Sequence, residues 1–266
     1  MDHVTSDDGT TIAYDAQGTG PALVLVGGGL DDGTENAPLV PALAGSFTVY
    51  NYARRGRGES DDTPPYQVSR EIEDLAAVVI RAGGSACLYG VSSGGALVLE
   101  AAAAGIPAAR LAVYEVPYNL DPGWPDRWQA YAEEVDAAVT EGRRGDALAA
   151  FLRVTGSPDA EIDGIRSSPY WPAMESLAHT LPYDAACLGH GHPAANRLAR
   201  ITQPTLVATG DAANRPDAPE WVRALAPAAD AIAATIPDAE RQTFEGQSHV
   251  AAPEAVAPAL TRFFSG

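Results

Sequence analysis

The run Ala86-Cys87-Leu88-Tyr89-Gly90-Val91-Ser92-Ser93-Gly94-Gly95 constrains this chain more than any other stretch. Ala86 to Tyr89 is a short apolar segment that reads as a buried strand, and the alanine-rich segment Ala96 to Ala104 reads as a helix. Only a tight turn separates them. Such a turn forces the serine at its apex into a strained backbone conformation. Gly90 and Gly94 remove the side chains that would collide there. The helix N-terminus then directs free N–H groups and its positive dipole end at Ser92. The pentapeptide alone would also suit an ordinary glycine-rich loop. Its position between strand and helix is what makes Ser92 a candidate nucleophile.

The rest of the chain alternates in the same way. Val4 to Ser6 and Thr10 to Ala16 read as strands around the turn Asp7-Asp8-Gly9. Ala22 to Val26, Phe47 to Tyr52, Leu111 to Tyr114, Thr205 to Ala208 and Arg241 to Phe244 read as further strands, the first two as continuous apolar runs. Ala37 to Ala44, Ser69 to Ala82, Glu220 to Ala226 and Pro253 to Phe264 read as helices, the last bent by Pro258. Alternation of this kind predicts an α/β fold with a mostly parallel central sheet and helices on both faces. Residues 118–200 break the pattern. Their apolar positions repeat at helical spacing: Trp124, Trp128, Tyr131 and Val135; Ala147, Phe151 and Val154; Met174, Leu177 and Leu181. The expectation is one α/β core from residues 1–117 and 201–266, with a helical cap at 118–200 inserted after the sixth strand. The chain, 266 residues at 46% hydrophobic content, is long enough to bury such a core.

Composition removes several classes of function. A net charge of −18 opposes binding to nucleic acid or to an anionic membrane. The sequence has no lysine, so neither a Schiff-base lysine nor a P-loop lysine is available. It has no apolar run long enough to span a membrane, and its opening residues are polar and acidic rather than secretory in character. A cytoplasmic protein is therefore expected. Two cysteines do not make a disulfide framework, and Cys87 reads as a small buried hydrophobe.

A serine hydroxyl needs a base to become a nucleophile. His249, in Glu245-Gly246-Gln247-Ser248-His249, follows the last strand, where parallel sheets place their sites. His3 is terminal, His179 falls in a cap helix, and His190 and His192 flank a turn with no metal expected there. An oxyanion formed in acyl transfer needs two N–H donors. Ser93 and the loop Gly27-Gly28-Gly29-Leu30 can supply them, with Gly29 as the second donor. A nucleotide-binding reading of these glycines lacks both G-x-G-x-x-G and a following lysine.

These motifs together resemble the α/β-hydrolase superfamily over nearly the whole chain. The matching segments are Gly90 to Gly94, Arg54-Arg55-Gly56-Arg57-Gly58-Glu59-Ser60, and Glu245 to His249, in the order elbow serine before terminal histidine. The resemblance implies a triad, an oxyanion hole and no cofactor. The chain departs from the family pattern in four places. Val91 stands where a histidine is common, Gly27 replaces the histidine of the His-Gly pair, and Ala53 replaces an aspartate. Ala213 occupies the usual position of the triad acid. Two carboxylates can replace that acid: Glu115, at the end of the sixth strand, and Asp211, after the seventh. Glu115 is preferred. The aromatic cap residues Tyr118, Trp124, Trp128 and Trp171, with Leu30 from the glycine loop, are expected to line a pocket for a small, uncharged, hydrophobic substrate. The function expected is a serine hydrolase cleaving an ester, thioester or lactone. A cofactor-free lyase, cyclase or acyltransferase on the same fold, and a non-catalytic ligand-binding relic, remain as rivals. The sequence leaves the oligomeric state open.

Overall fold

The computed structural model describes residues 1–266, apart from the side chain of Ala213. In chain order the elements are β1 (Asp2–Thr5), β2 (Thr11–Gln17), β3 (Ala22–Val26), α1 (Leu39–Leu43), β4 (Thr48–Tyr52), α2 (Val68–Arg81), β5 (Ala86–Val91), α3 (Ser93–Ala103) and β6 (Ala108–Tyr114). The chain then runs through α4 (Trp124–Thr140), α5 (Arg144–Val154), α6 (Asp159–Arg166), α7 (Trp171–Leu177), α8 (Leu181–Leu188) and α9 (Ala195–Leu198). It returns through β7 (Thr205–Gly210), α10 (Glu220–Thr235), β8 (Ala239–Phe244) and α11 (Pro253–Ser265). The eight strands form one sheet in the order β1-β2-β4-β3-β5-β6-β7-β8. Only the β1–β2 and β2–β4 pairings are antiparallel.

Alternate residues of the central strands, β3 above all, feed two separate cores. Val24 and Val26 of β3 join Leu97, Val98 and the α2 residues Leu75 and Val78 on one face. Leu23 and Leu25 join Leu39, Leu43, Leu260 and Phe264, contributed by α1 and α11, on the other. A strand buried on both faces has no polar side to show, which is why β3 and β5 read as unbroken apolar runs.

Several element ends differ from the sequence expectation, for physical reasons. The helix after the elbow begins at Ser93 rather than Ala96, so Gly94 and Gly95 are helical. A Cβ on Gly94 would stand 2.3 Å from Gly27 O, and one on Gly95 would stand 2.8 Å from Val116 Cγ2. These glycines allow close packing rather than a longer turn. α10 passes through Pro227 to Thr235 instead of stopping at Ala226. Its buried stripe continues through Leu225, Ala228, Ala229 and Ile232. Pro227 and Arg223, whose carbonyl the proline leaves without its helical partner, both lie on the exposed face, where that loss costs least. β5 and β7 each extend two residues further than expected, to Val91 and Gly210.

Between β6 and β7 the described residues hold helices and no strand. α4 buries Trp124, Trp128, Tyr131 and Val135 on one stripe. It packs on α5 and α8, and α8 packs on α3. Trp128 Nε1 donates to Gly189 O at 3.0 Å, tying α4 to the end of α8. No helix among the described residues is long and apolar enough to cross a membrane.

Candidate active site

The elbow has the geometry its glycines require. Ser92 sits at φ 55°, ψ −128°, a region that serine occupies at a cost and only where the surroundings fix it. Its N–H donates to Tyr114 O at 2.9 Å, and its carbonyl accepts from Gly95 N at 3.0 Å. A Cβ on Gly90 would meet Gly94 O at 2.6 Å. Ser92 Oγ has no hydrogen-bond partner among the described protein groups. It lies in the wall of a cavity of about 360 Å³ that His249 also lines.

Three strand ends meet around His249. Its Nδ1 lies 2.7 Å from Glu115 Oε2. Glu115 follows β6 directly, at φ 49°, and is 2% exposed. Its backbone N–H donates to Ala208 O at 2.9 Å, and its other carboxylate oxygen accepts Gly210 N–H at 2.8 Å. Both oxygens are thereby engaged. Gly210 ends β7, and a Cβ there would stand 2.2 Å from Gln247 O, so glycine lets the His249 loop close over the strand. The Trp221 ring of α10 stands 5.2 Å from the imidazole at 87°, an edge contact that limits rotation of the ring. Asp211 opens a 3₁₀ turn (Asp211–Asn214) and makes no hydrogen bond to His249. The side chain of Ala213, at the family's usual acid position, lies outside the described residues.

The glycine loop after β3 is held at several points. Gly28 N–H donates to Glu35 Oε2 at 2.8 Å. Gly28 O accepts from Arg57 Nη1, and Gly27 O accepts from Arg54 Nη1 at 3.4 Å. The N–H groups of Gly29 and Ser93 have no protein partner among the described residues, and both residues line the cavity. Behind them lies a buried ion cluster. Arg54 forks onto Glu71 at 2.6 and 2.8 Å and reaches Asp184 Oδ1 at 2.7 Å. Arg57 Nη2 reaches the same oxygen at 2.8 Å, and Ser93 Oγ donates to it at 2.7 Å. Burial works against these charges, but pairing outweighs it. Glu71 and Asp184 hold Arg54 protonated well above the ordinary arginine range, while Arg57 and Arg54 hold the Asp184 carboxyl below the usual carboxylate range.

The cavity continues from Ser92 between the core and the helices that follow β6. Tyr118, Trp124 and Trp128 line it, as expected. Two expected residues do not. Leu30, at φ 56°, turns onto the main hydrophobic core. Trp171 lies on α7 facing α5. Its Nε1 donates to Glu175 at 3.0 Å, and the Arg166 guanidinium lies 5.0 Å over its ring. Side-chain direction on a seven-residue helix is set by its neighbours, which the apolar spacing does not reveal. The sequence reading placed none of Asn119, Phe151, Asp184, Leu188 and Trp221 in the pocket, yet all line it. Phe151 carried a signal in its helical stripe. Asp184 carried none, because its partner Arg54 is 130 residues away. Burial keeps the Tyr118 and Tyr131 phenols neutral.

The family model described as the alpha/beta hydrolase family matches residues 22–259. The chain belongs to the alpha/beta hydrolase family. An alpha/beta hydrolase from Sphaerobacter thermophilus is 47% identical, superposes with a TM-score of 0.86, and is covered in full by 99% of this chain. A pimeloyl-[acyl-carrier protein] methyl ester esterase from Xanthomonas campestris is 31% identical across 94% of this chain and 97% of that protein. The enol-lactonase from Burkholderia xenovorans, at 22% identity and a TM-score of 0.72, covers 100% of both chains and shares the fold.

Proposed function

We propose that the protein is a serine hydrolase that cleaves the ester of a small, largely hydrophobic acid through an acyl-enzyme on Ser92. The observation that carries this reading is one arrangement. An elbow serine at φ 55° faces the same cavity as His249, whose Nδ1 lies 2.7 Å from the buried Glu115 carboxylate. In this mechanism Glu115 fixes the tautomer in which Nε2 is free to take a proton. His249 takes the Ser92 proton as Oγ attacks the ester carbonyl. Gly29 N–H and Ser93 N–H hold the oxyanion. The imidazolium returns its proton to the leaving alcohol, and water then releases the acid by the same route. The mechanism requires Oγ to reach Nε2 across the cavity that both residues line, a contact that commonly tightens once substrate is bound.

The helices α4–α9 act as the cap, and the acyl group lies against Trp124, Trp128, Tyr131, Phe151 and Leu188. An esterase and a lactonase among the relatives support the ester class, and the cavity of about 360 Å³ suits a compact substrate. No metal or organic cofactor is needed. A fluorophosphonate probe tests the reading directly. Labelling of wild type at Ser92, with Ser92→Ala unlabelled and about 10⁴-fold slower on a short aryl ester, is the expected result. Wild-type protein that resists the probe and leaves aryl esters intact would favour the lyase, cyclase or acyltransferase readings or the binding relic.

A further inference from the structure

We infer that Arg57 and Asp184 are positioning residues that set both oxyanion donors, so that the helical insertion itself completes the oxyanion hole. The inference rests on the acyl-enzyme reading. A trans peptide points its C=O and N–H in opposite directions. The unit between Gly28 and Gly29 is free to flip, because neither residue has a side chain to oppose it. Arg57 Nη1 takes hold of Gly28 O. That bond fixes the peptide so that Gly29 N–H points the other way, into the cavity that Gly29 and Ser92 line.

The second donor is held from the same place. Asp184 Oδ1 accepts Arg57 Nη2 at 2.8 Å, Arg54 Nη1 at 2.7 Å and Ser93 Oγ at 2.7 Å. One carboxylate oxygen thus links the guanidinium behind Gly29 to the side chain of Ser93, whose N–H is the other donor. Asp184 belongs to α8, in the insertion, while Arg57 and Ser93 belong to the core.

Fastening a helix to a core does not require charges. Apolar contacts serve as well, since a buried ion pair is commonly neutral or worse against a hydrophobic replacement. What apolar side chains cannot do is donate to the carbonyls of Gly27 and Gly28. Arg54 and Arg57 do both. The paired charges Arg54–Glu71 and Arg57–Asp184 leave the cluster neutral, so it orients the donors without adding a net field.

The test compares transition-state with ground-state binding in Arg57→Lys, Asp184→Asn and Ser93→Ala. A trifluoromethyl ketone reports the oxyanion, because Ser92 adds to it to form one. The corresponding secondary alcohol reports the pocket alone. Lysine cannot fork between Gly28 O and Asp184. Arg57→Lys and Asp184→Asn are expected to lower kcat by about 10- to 100-fold, less than the roughly 10²- to 10³-fold for removing an oxyanion donor outright, because the N–H is misaimed rather than lost. KM should stay within about twofold, and ketone inhibition should weaken in step with kcat/KM while alcohol binding is unchanged. Ser93→Ala keeps its N–H and should show a smaller loss of the same pattern; it carries the test if Asp184→Asn does not fold. Unchanged ketone inhibition in these variants, or alcohol binding lost in proportion to kcat, would overturn the inference. Fluorophosphonate labelling of wild type separates the outcomes. A labelled wild type with unaffected variants refutes the positioning role alone, whereas an unlabelled wild type refutes the acyl-enzyme reading beneath it.

Discussion

At the scale of single residues, the site turns on which carboxylate meets His249. Glu115 and Asp211 both follow strand ends, and the chain leaves alanine at the family's usual acid position. Glu115 has the longer side chain, and its φ of 49° turns the backbone so that the carboxylate lies between Gly210 N–H and His249 Nδ1. Two hydrogen bonds hold one orientation of a fully buried group. Glu115→Gln keeps the shape but presents an amide where an anion faced the imidazolium. Turnover of an aryl ester should fall by about 10²- to 10⁴-fold, as expected when tautomer and charge support are lost. Asp211→Asn should leave turnover within about threefold, since its carboxylate has no bond to His249 and a surface substitution of this kind is commonly near neutral. A steady-state comparison of the two variants decides the assignment.

At the scale of elements, α4 and α7 show that the same residue type does different work on different helices. Trp128 on α4 lines the cavity and donates to Gly189 O. Trp171 on α7 is equally buried but packs on α5 and Arg166. Trp128→Ala should therefore raise KM and shift preference toward bulkier acyl groups, because it removes binding surface remote from the reacting carbonyl and enlarges the cavity there. Trp171→Ala should leave KM and substrate preference unchanged and lower stability by about 3–5 kcal/mol, the usual cost of truncating a buried tryptophan. Kinetics over a series of acyl chain lengths, beside chemical denaturation of both variants, separates the two roles.

At the scale of the whole molecule, 35 acidic residues against 17 basic ones leave a net charge of −18. Arg54, Arg55 and Arg57 are buried together with their partners Glu71, Asp74 and Asp184, so these pairs cancel and the whole excess of negative charge falls on the other residues. Mutual repulsion of this kind weakens the compact state and is screened by salt. Raising ionic strength from about 0.01 M to about 0.5 M shortens the Debye length from about 30 Å to a few ångströms. Calorimetry should show Tm rising by a few degrees over that range, with the sheet and the two cores unaltered. A Tm that falls would mean that the surface ion pairs, such as Arg127–Glu220, contribute more than the repulsion costs.

The sequence by itself determined the layered α/β plan, the elbow and the residue types at the site. Strand alternation, close-packed glycines and a histidine after the last strand are local signals, legible over a few positions. Glu115 and Asp211 were both readable as carboxylates directly after apolar strands, and what separates them is the contact of Glu115 with His249, 134 residues away. What the tertiary structure alone decided are the contacts between distant segments. These include the way Asp184 meets Arg54 and Arg57, the way Trp221 abuts His249, and the way Trp171 and Leu30 turn from the cavity toward other neighbours. Periodicity says which side of a helix is apolar, but the direction in which that side faces is fixed by the packing of elements far apart in the chain. The run through Pro227 makes the same point, since a proline ends a helix only where burial does not carry it onward.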